Sequence, residues 1–98
     1  MDKYILKLYV TGLTSRAKRA IINLQQIHQE YLQEKYRIEI IDILEKPQLA
    51  EDEKILATPT LIKSLPPPIR RIIGDLSDKE KVLFGLDIIE IDQEHKDE

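Results

Sequence analysis

Thr58-Pro59-Thr60-Leu61-Ile62-Lys63-Ser64-Leu65-Pro66-Pro67-Pro68-Ile69-Arg70-Arg71-Ile72-Ile73-Gly74-Asp75 is the stretch whose reading decides the fold. Taken one way, it is a hairpin. Thr60-Leu61-Ile62 forms a strand entered from Thr58-Pro59, and Ile69-Arg70-Arg71-Ile72-Ile73 returns as a second strand. Pro66-Pro67-Pro68 is then the connection, because consecutive rings remove backbone donors from any ladder. Gly74-Asp75 ends the hairpin. Taken the other way, Ser64-Leu65-Pro66-Pro67 opens a helix through Arg70, Arg71 and Ile73, since proline is favoured in a helix's first turn.

Upstream of this stretch the signals agree with one another. Tyr4-Ile5-Leu6-Lys7-Leu8-Tyr9-Val10 is β-branched and aromatic, as expected of a largely buried strand. Thr11-Gly12 punctuates it, and Thr14 or Ser15 can cap a helix by accepting backbone N–H bonds. Ala17, Ala20, Ile21, Leu24, Ile27, Tyr31 and Leu32 recur at three- and four-residue steps and form one apolar stripe. Arg16, Lys18, Arg19, Gln25, Gln29 and Lys35 occupy the opposite face. Ile38-Glu39-Ile40-Ile41-Asp42-Ile43 reads as a second strand, so the first half is a right-handed parallel β-α-β unit. Pro47 opens a short helix running towards Ile55, which places Glu51 and Asp52 near its positive end.

Downstream the signals conflict. Ser77-Asp78-Lys79-Glu80 is a capping-box pattern that opens a helix through Val82, Leu83 and Leu86. With the hairpin, it completes β-α-β-α-β-β-α, the order of a thioredoxin-like fold. Gly85 interrupts that helix, at about 1 kcal/mol relative to alanine. Leu86-Asp87-Ile88-Ile89-Glu90-Ile91 is β-branched and partly alternating, which suits a strand. Natural sequences usually avoid such conflict, so its presence is itself information.

The bulk properties bound the function. The 98 residues make one α/β domain, residues 1–91, followed by a polar tail at 92–98 that is expected to fray. A net charge of −3 argues against a general affinity for phosphate backbones. Cysteine is absent, which removes disulfides, thiolate metal sites and thiol chemistry together. No apolar run is long enough to cross a bilayer. Met1-Asp2-Lys3 leads directly into a strand, with no signal peptide, so the cytoplasm is the expected compartment.

Few residues invite a chemical role. Thr11-Gly12-Leu13-Thr14 stands where a thioredoxin carries its Cys-x-x-Cys pair, and it has no thiol to exchange. Thr58-Pro59 resembles the segment that holds the cis-proline of such folds, which reads first as a fold-defining turn, with a substrate-binding role as the alternative. His28 and His95 lack ligand spacing, and Glu51, Asp52 and Glu53 fan around a helix instead of converging. Gly12, Gly74 and Gly85 are isolated, so no phosphate loop exists. Arg16/Lys18/Arg19 and Arg70/Arg71 remain as candidate contacts for an anionic protein, against the plainer reading of ordinary surface charge. No catalytic, cofactor or metal site is expected.

Pro47-Gln48-Leu49-Ala50, Lys54-Ile55-Leu56-Ala57-Thr58-Pro59-Thr60-Leu61 and Leu65-Pro66-Pro67-Pro68-Ile69-Arg70-Arg71-Ile72-Ile73-Gly74-Asp75-Leu76-Ser77 strongly resemble the KaiB family of circadian clock proteins. So do Tyr4 to Val10 with Gly12, and Lys81-Val82-Leu83-Phe84-Gly85-Leu86-Asp87; the likeness runs to about Ile89. The resemblance implies a metamorphic α/β protein whose β-α-β first half is constant. Its second half is either β-α-α-β, in a ground state that is usually a homotetramer or otherwise a dimer, or α-β-β-α, in a rarer thioredoxin-like monomer. The monomer is implied to bind the CI ATPase ring of phosphorylated KaiC and to capture KaiA there. That capture ends KaiA's stimulation of KaiC autophosphorylation, so dephosphorylation proceeds. Competition with a clock-output sensor histidine kinase and engagement of a phosphatase are implied too.

Residue by residue, Arg19 and Lys54 match basic positions of the family's KaiC-binding surface. Gly85 and Asp87 match positions that bias the fold switch, with Pro59, Pro66, Pro67 and Pro68 in the switching segment. Glu39 departs from a basic family position, and Leu13-Thr14-Ser15-Arg16 departs from Asn-Thr-Pro-Asn. These departures suggest a divergent paralogue or a non-model homologue. A second reading is therefore a KaiB-like adaptor in stress signalling without a full KaiA-dependent oscillator.

Overall fold

The computed structural model describes residues 4–32 and 35–87. It follows the hairpin reading. The order is β1 (Tyr4–Val10), α1 (Ser15–Ile27), β2 (Tyr36–Asp42), α2 (Pro47–Asp52), β3 (Thr60–Leu65), β4 (Arg70–Ile73) and α3 (Lys79–Gly85). The alternative helix from Ser64 is absent from this arrangement. The alternative strand at 86–91 lies largely outside the described residues, as does the tail at 92–98.

One sheet, ordered β2-β1-β3-β4, carries the molecule. β1 runs parallel to β2 and antiparallel to β3, and β3 pairs antiparallel with β4. Leu8 stands opposite Ile40 and Leu61, and Leu61 opposite Ile72. Leu6, Leu8 and Val10 meet Ala17, Ala20, Leu24 and Ile27 of α1 and Val82, Leu83 and Leu86 of α3. Both long-range helices therefore cover one face of the sheet. Tyr9 and Ile62, which alternate with those residues, are buried on the other face.

Local chemistry explains the element ends. Thr14 caps α1 by accepting from the Ala17 N–H at 3.1 Å. α1 was expected to run unbroken to Leu32, but after Ile27 it widens into a π-turn, His28–Leu32. The extra residue of that turn keeps Leu32 buried while Tyr31, expected in the stripe, turns 39% exposed beneath the Lys79 ammonium. His28 Nε2 lies 2.9 Å from the Tyr36 carbonyl, a structural contact. The cap of α3 is Asp78, which accepts from the Lys81 N–H, and not Ser77; Ser77 N–H instead donates to Asp75. α2 ends at Asp52, so Glu51 and Asp52 sit in its last turn, at the negative end rather than the positive one.

Candidate partner-binding surface

At one end of the sheet, the C-terminal end of β1 meets the start of β3. The hydroxyls of Thr11 and Thr58 are 2.8 Å apart, and Pro59, buried and joined to Thr58 by a cis bond, accepts the Gly74 N–H at 2.9 Å. Gly12, at φ +70, donates to Asp42 Oδ1 at 3.0 Å. The same oxygen takes the Leu44 N–H at 2.9 Å. The junction that would carry reactive thiols in a thioredoxin is thus a hydroxyl and carboxylate brace. Leu13, Leu44, Leu56 and Ile73 are exposed in or beside its segments. Pro66, Pro67 and Pro68 lie at the opposite end of the sheet, in the turn of the β3–β4 hairpin.

Lys54 closes α2. Its N–H donates to Glu51 O at 3.1 Å and the Ile55 N–H to Ala50 O at 2.8 Å. That paired pattern places the intervening residue in the left-handed region, where glycine is usual. Lys54 is at φ +56 and exposed. A side chain in that conformation costs about 1 kcal/mol. Arg71 crosses from β4 to the same turn, donating from Nη1 to Lys54 O at 3.2 Å and from Nη2 to Glu53 O. Because Ile72 packs with the α1–α3 core, its neighbour Arg71 points to the opposite face, and α2 therefore stands over that face. There burial pushes the Tyr9 hydroxyl up, with the Glu53 and Glu39 carboxylates adding to the effect and Arg71 opposing it.

Arg19 lies on α1, beyond the other face, so the two predicted contact residues are not brought together. Its Nε is 3.4 Å from Asp75 Oδ2. Ser77 hydrogen bonds first, and Arg19 as well, hold the Asp75 carboxyl below the usual carboxylate range. Glu39 is paired with Arg37 at 3.1 Å. Gly85 ends α3 against β4, and a Cβ built on it would meet Ile72 Cδ1 at 2.9 Å. Asp87 follows at φ +60, its N–H donating to Phe84 O at 3.0 Å.

Two features escaped the sequence reading. Arg71 reads from sequence as a candidate contact for an anionic protein or as ordinary surface charge, and nothing local marks its reach to α2. Lys63 is 2% exposed, opposite Leu6 on one side and Arg70 on the other. Desolvation lowers its pKa; the Asp87 carboxylate raises it and Arg70 lowers it further. The signal for Lys63 was present, since alternation along Thr60–Leu65 sets it on the face of Leu61.

Comparison with known proteins now identifies the lineage. The model of the KaiB domain matches residues 7–88. The chain belongs to the KaiB family. The circadian clock protein KaiB3 of Synechocystis sp. (strain PCC 6803) is 58% identical over 89 residues, 91% of this chain and 87% of that relative. The circadian clock oscillator protein KaiB of Microcystis aeruginosa (strain NIES-843) is 59% identical over 86 residues, covering 88% and 83%. Among solved structures, the N-terminal domain of Synechococcus elongatus SasA superposes with a TM-score of 0.72 at 21% identity, covering 86% of this chain and 81% of that one. Mitochondrial thioredoxin 3 of Saccharomyces cerevisiae gives 0.72 at 18% identity, covering 91% and 81%. Those two likenesses show the fold alone: this KaiB-family chain is thioredoxin-like as described. Membership assigns it to circadian clock proteins. Among the described residues no helix is long and apolar enough to cross a membrane.

Proposed function

We propose that this chain regulates a cytoplasmic circadian clock by binding, not by catalysis. In the thioredoxin-like arrangement it docks on the CI ATPase ring of phosphorylated KaiC and captures KaiA there. KaiA's stimulation of autophosphorylation then ends and dephosphorylation proceeds; a clock-output sensor histidine kinase competes for the ring. The observation that carries this reading is the 58–59% identity to clock proteins over about nine-tenths of the chain.

Arg19 and Lys54 are the proposed contacts. Lysine held in a glycine-like conformation at an exposed turn supports a role for its side chain, because strain of this kind tends to accompany function. Arg19 is tied to Asp75 by one exposed ion pair, which is weak and easily exchanged. Pro59, Pro66, Pro67, Pro68, Gly85 and Asp87 belong to the segment that switches to β-α-α-β in the free, self-associated protein. Phe84, 88% exposed on α3, and Leu56, 93% exposed, are apolar surface that such association would cover. The binding-competent state is scarce, which lowers apparent affinity in proportion to its population.

The test is co-migration with ATP-loaded KaiC hexamer on a sizing column after a day of mixing. Absence of a shared peak, while a homologue from the same family co-migrates, sinks the proposal. Glu39, paired with Arg37 where the family resemblance implies a basic residue, favours the second reading of a stress-signalling adaptor without a KaiA-dependent oscillator. A deletion strain that keeps its rhythm but loses stress survival would select that reading.

A further inference from the structure

We propose that Arg71 is the positioning residue for Lys54: its forked guanidinium clamps the left-handed turn on which Lys54 is presented. The inference rests on the reading of Lys54 as a partner contact. The two bonds that close α2 leave the carbonyls of Glu53 and Lys54 pointing beyond the helix, and these are the two oxygens that Arg71 engages. Two donors fixed in one plane suit two successive carbonyls, whereas a lysine ammonium is a single point charge. The site also attracts a cation on general grounds. It is the negative end of α2, whose last turn and cap are Glu51, Asp52 and Glu53.

A conformation that lysine adopts reluctantly is held from outside the helix, by a strand 17 residues further along the chain. Arg71 is itself exposed, so its charge alone carries little weight. Its geometry carries the role, and its fork is already engaged by main chain. A partner that contacts Lys54 therefore meets a turn set before binding, and loses less freedom on docking than it would at a loose loop.

The experiment measures affinity for ATP-loaded KaiC hexamer, and amide exchange at Lys54 and Ile55 in the hexamer-bound state, for the full chain and its variants. Arg71→Gln should weaken binding about fivefold. Arg71→Lys should weaken it as much despite keeping the charge. In combination with Lys54→Ala, either change should cause no further loss, and both should accelerate exchange at Lys54 and Ile55 while Leu8 and Val10 stay protected. Full affinity in Arg71→Lys, or losses that multiply in the double variant, overturns the proposal. If Lys54→Ala leaves affinity unchanged, the reading of Lys54 fails on its own. The clamp is then judged by exchange: acceleration upholds it, and unaltered protection at Lys54 and Ile55 overturns it.

Discussion

Up to Asp52 the described main chain keeps to conformations its residues prefer, apart from the π-turn at His28–Leu32, while beyond it the chain repeatedly does not. In the first region the only described residue at positive φ is Gly12, α1 carries a hydroxyl cap, and β1 is buried with apolar neighbours on its helix-covered face. In the second region Lys54, Leu76 and Asp87, none of them glycine, all sit at φ between 56 and 65. A lysine is buried in β3, and a glycine ends α3. The regions share one sheet and one core, so the difference lies in local agreement and not in packing quality. Where local preference and tertiary arrangement disagree, a rival arrangement of the same residues has less to overcome. The proposed fold switch falls in that second region.

The largest expected effect tests the shared core. Leu8→Ala, at a position 0% exposed between β2 and β3, should lower stability by about 3 kcal/mol in chemical denaturation. A loss under about 1 kcal/mol would mean that the shared core is not packed around Leu8 as described.

Next is Lys63→Met, which replaces an ammonium lacking a hydrogen-bond partner among the described residues and should stabilise this arrangement by about 1–2 kcal/mol at neutral pH. The pKa of Lys63 is lowered by folding, so the unfolded chain binds the proton more tightly, and stability should rise as pH climbs from the folded value towards the ordinary lysine value. The methionine variant should lose that rise. The groups bearing on Lys63 are Asp87, which favours the charge, and Arg70, which opposes it. A denaturant midpoint that does not increase, or a pH slope identical to wild type, contradicts the assignment.

Asp87→Gly comes third, with a gain of about 1 kcal/mol for this arrangement from relief of the left-handed backbone. Gly85→Ala should give less than its helix preference promises, because the new Cβ needs Ile72 Cδ1 to move from 2.9 Å. Heteronuclear spectra of both variants report whether the population shifts. The smallest effect is at Asp75. Its carboxyl should titrate below the ordinary range, and the small stability from its brace to Ser77 and Arg19 should be present above the unfolded pKa and lost as pH falls through the folded one. Arg19→Ala should move that titration upward only slightly, since Ser77 contributes most.

Much of the fold was legible in local pattern. The β1 run, the α1 stripe, the capping Thr14 and the helix-opening Pro47 all report through neighbours within a few positions, and periodicity reads such signals directly. The π-turn was not legible, because the stripe through Ile27, Tyr31 and Leu32 fits a regular helix equally well; the contacts made from the turn, of Glu30 and Tyr31 with Lys79 and of His28 with Tyr36, are with residues outside the helix. The cap of α3 was misplaced by one residue, since Ser77 and Asp78 are both capable caps and Asp75 claims the first of them. Of the candidate site, Arg19 and Lys54 were found through family resemblance. Their positions beyond opposite faces of the sheet could not be read from that.

The sequence by itself determined the first β-α-β unit, the absence of thiol chemistry and the membership in the KaiB family. It also left the residues from 58 to 75 open between a hairpin and a helix. Tertiary structure decided that question in favour of the hairpin, because pairing β3 with β1 buries Leu61 against Leu8 and β4 then completes the ladder. It also decided the fate of Lys54 and Arg71. Hydrogen bonds between residues 17 and 18 positions apart have no local signature, and they exist only once the sheet has brought β4 beside the end of α2.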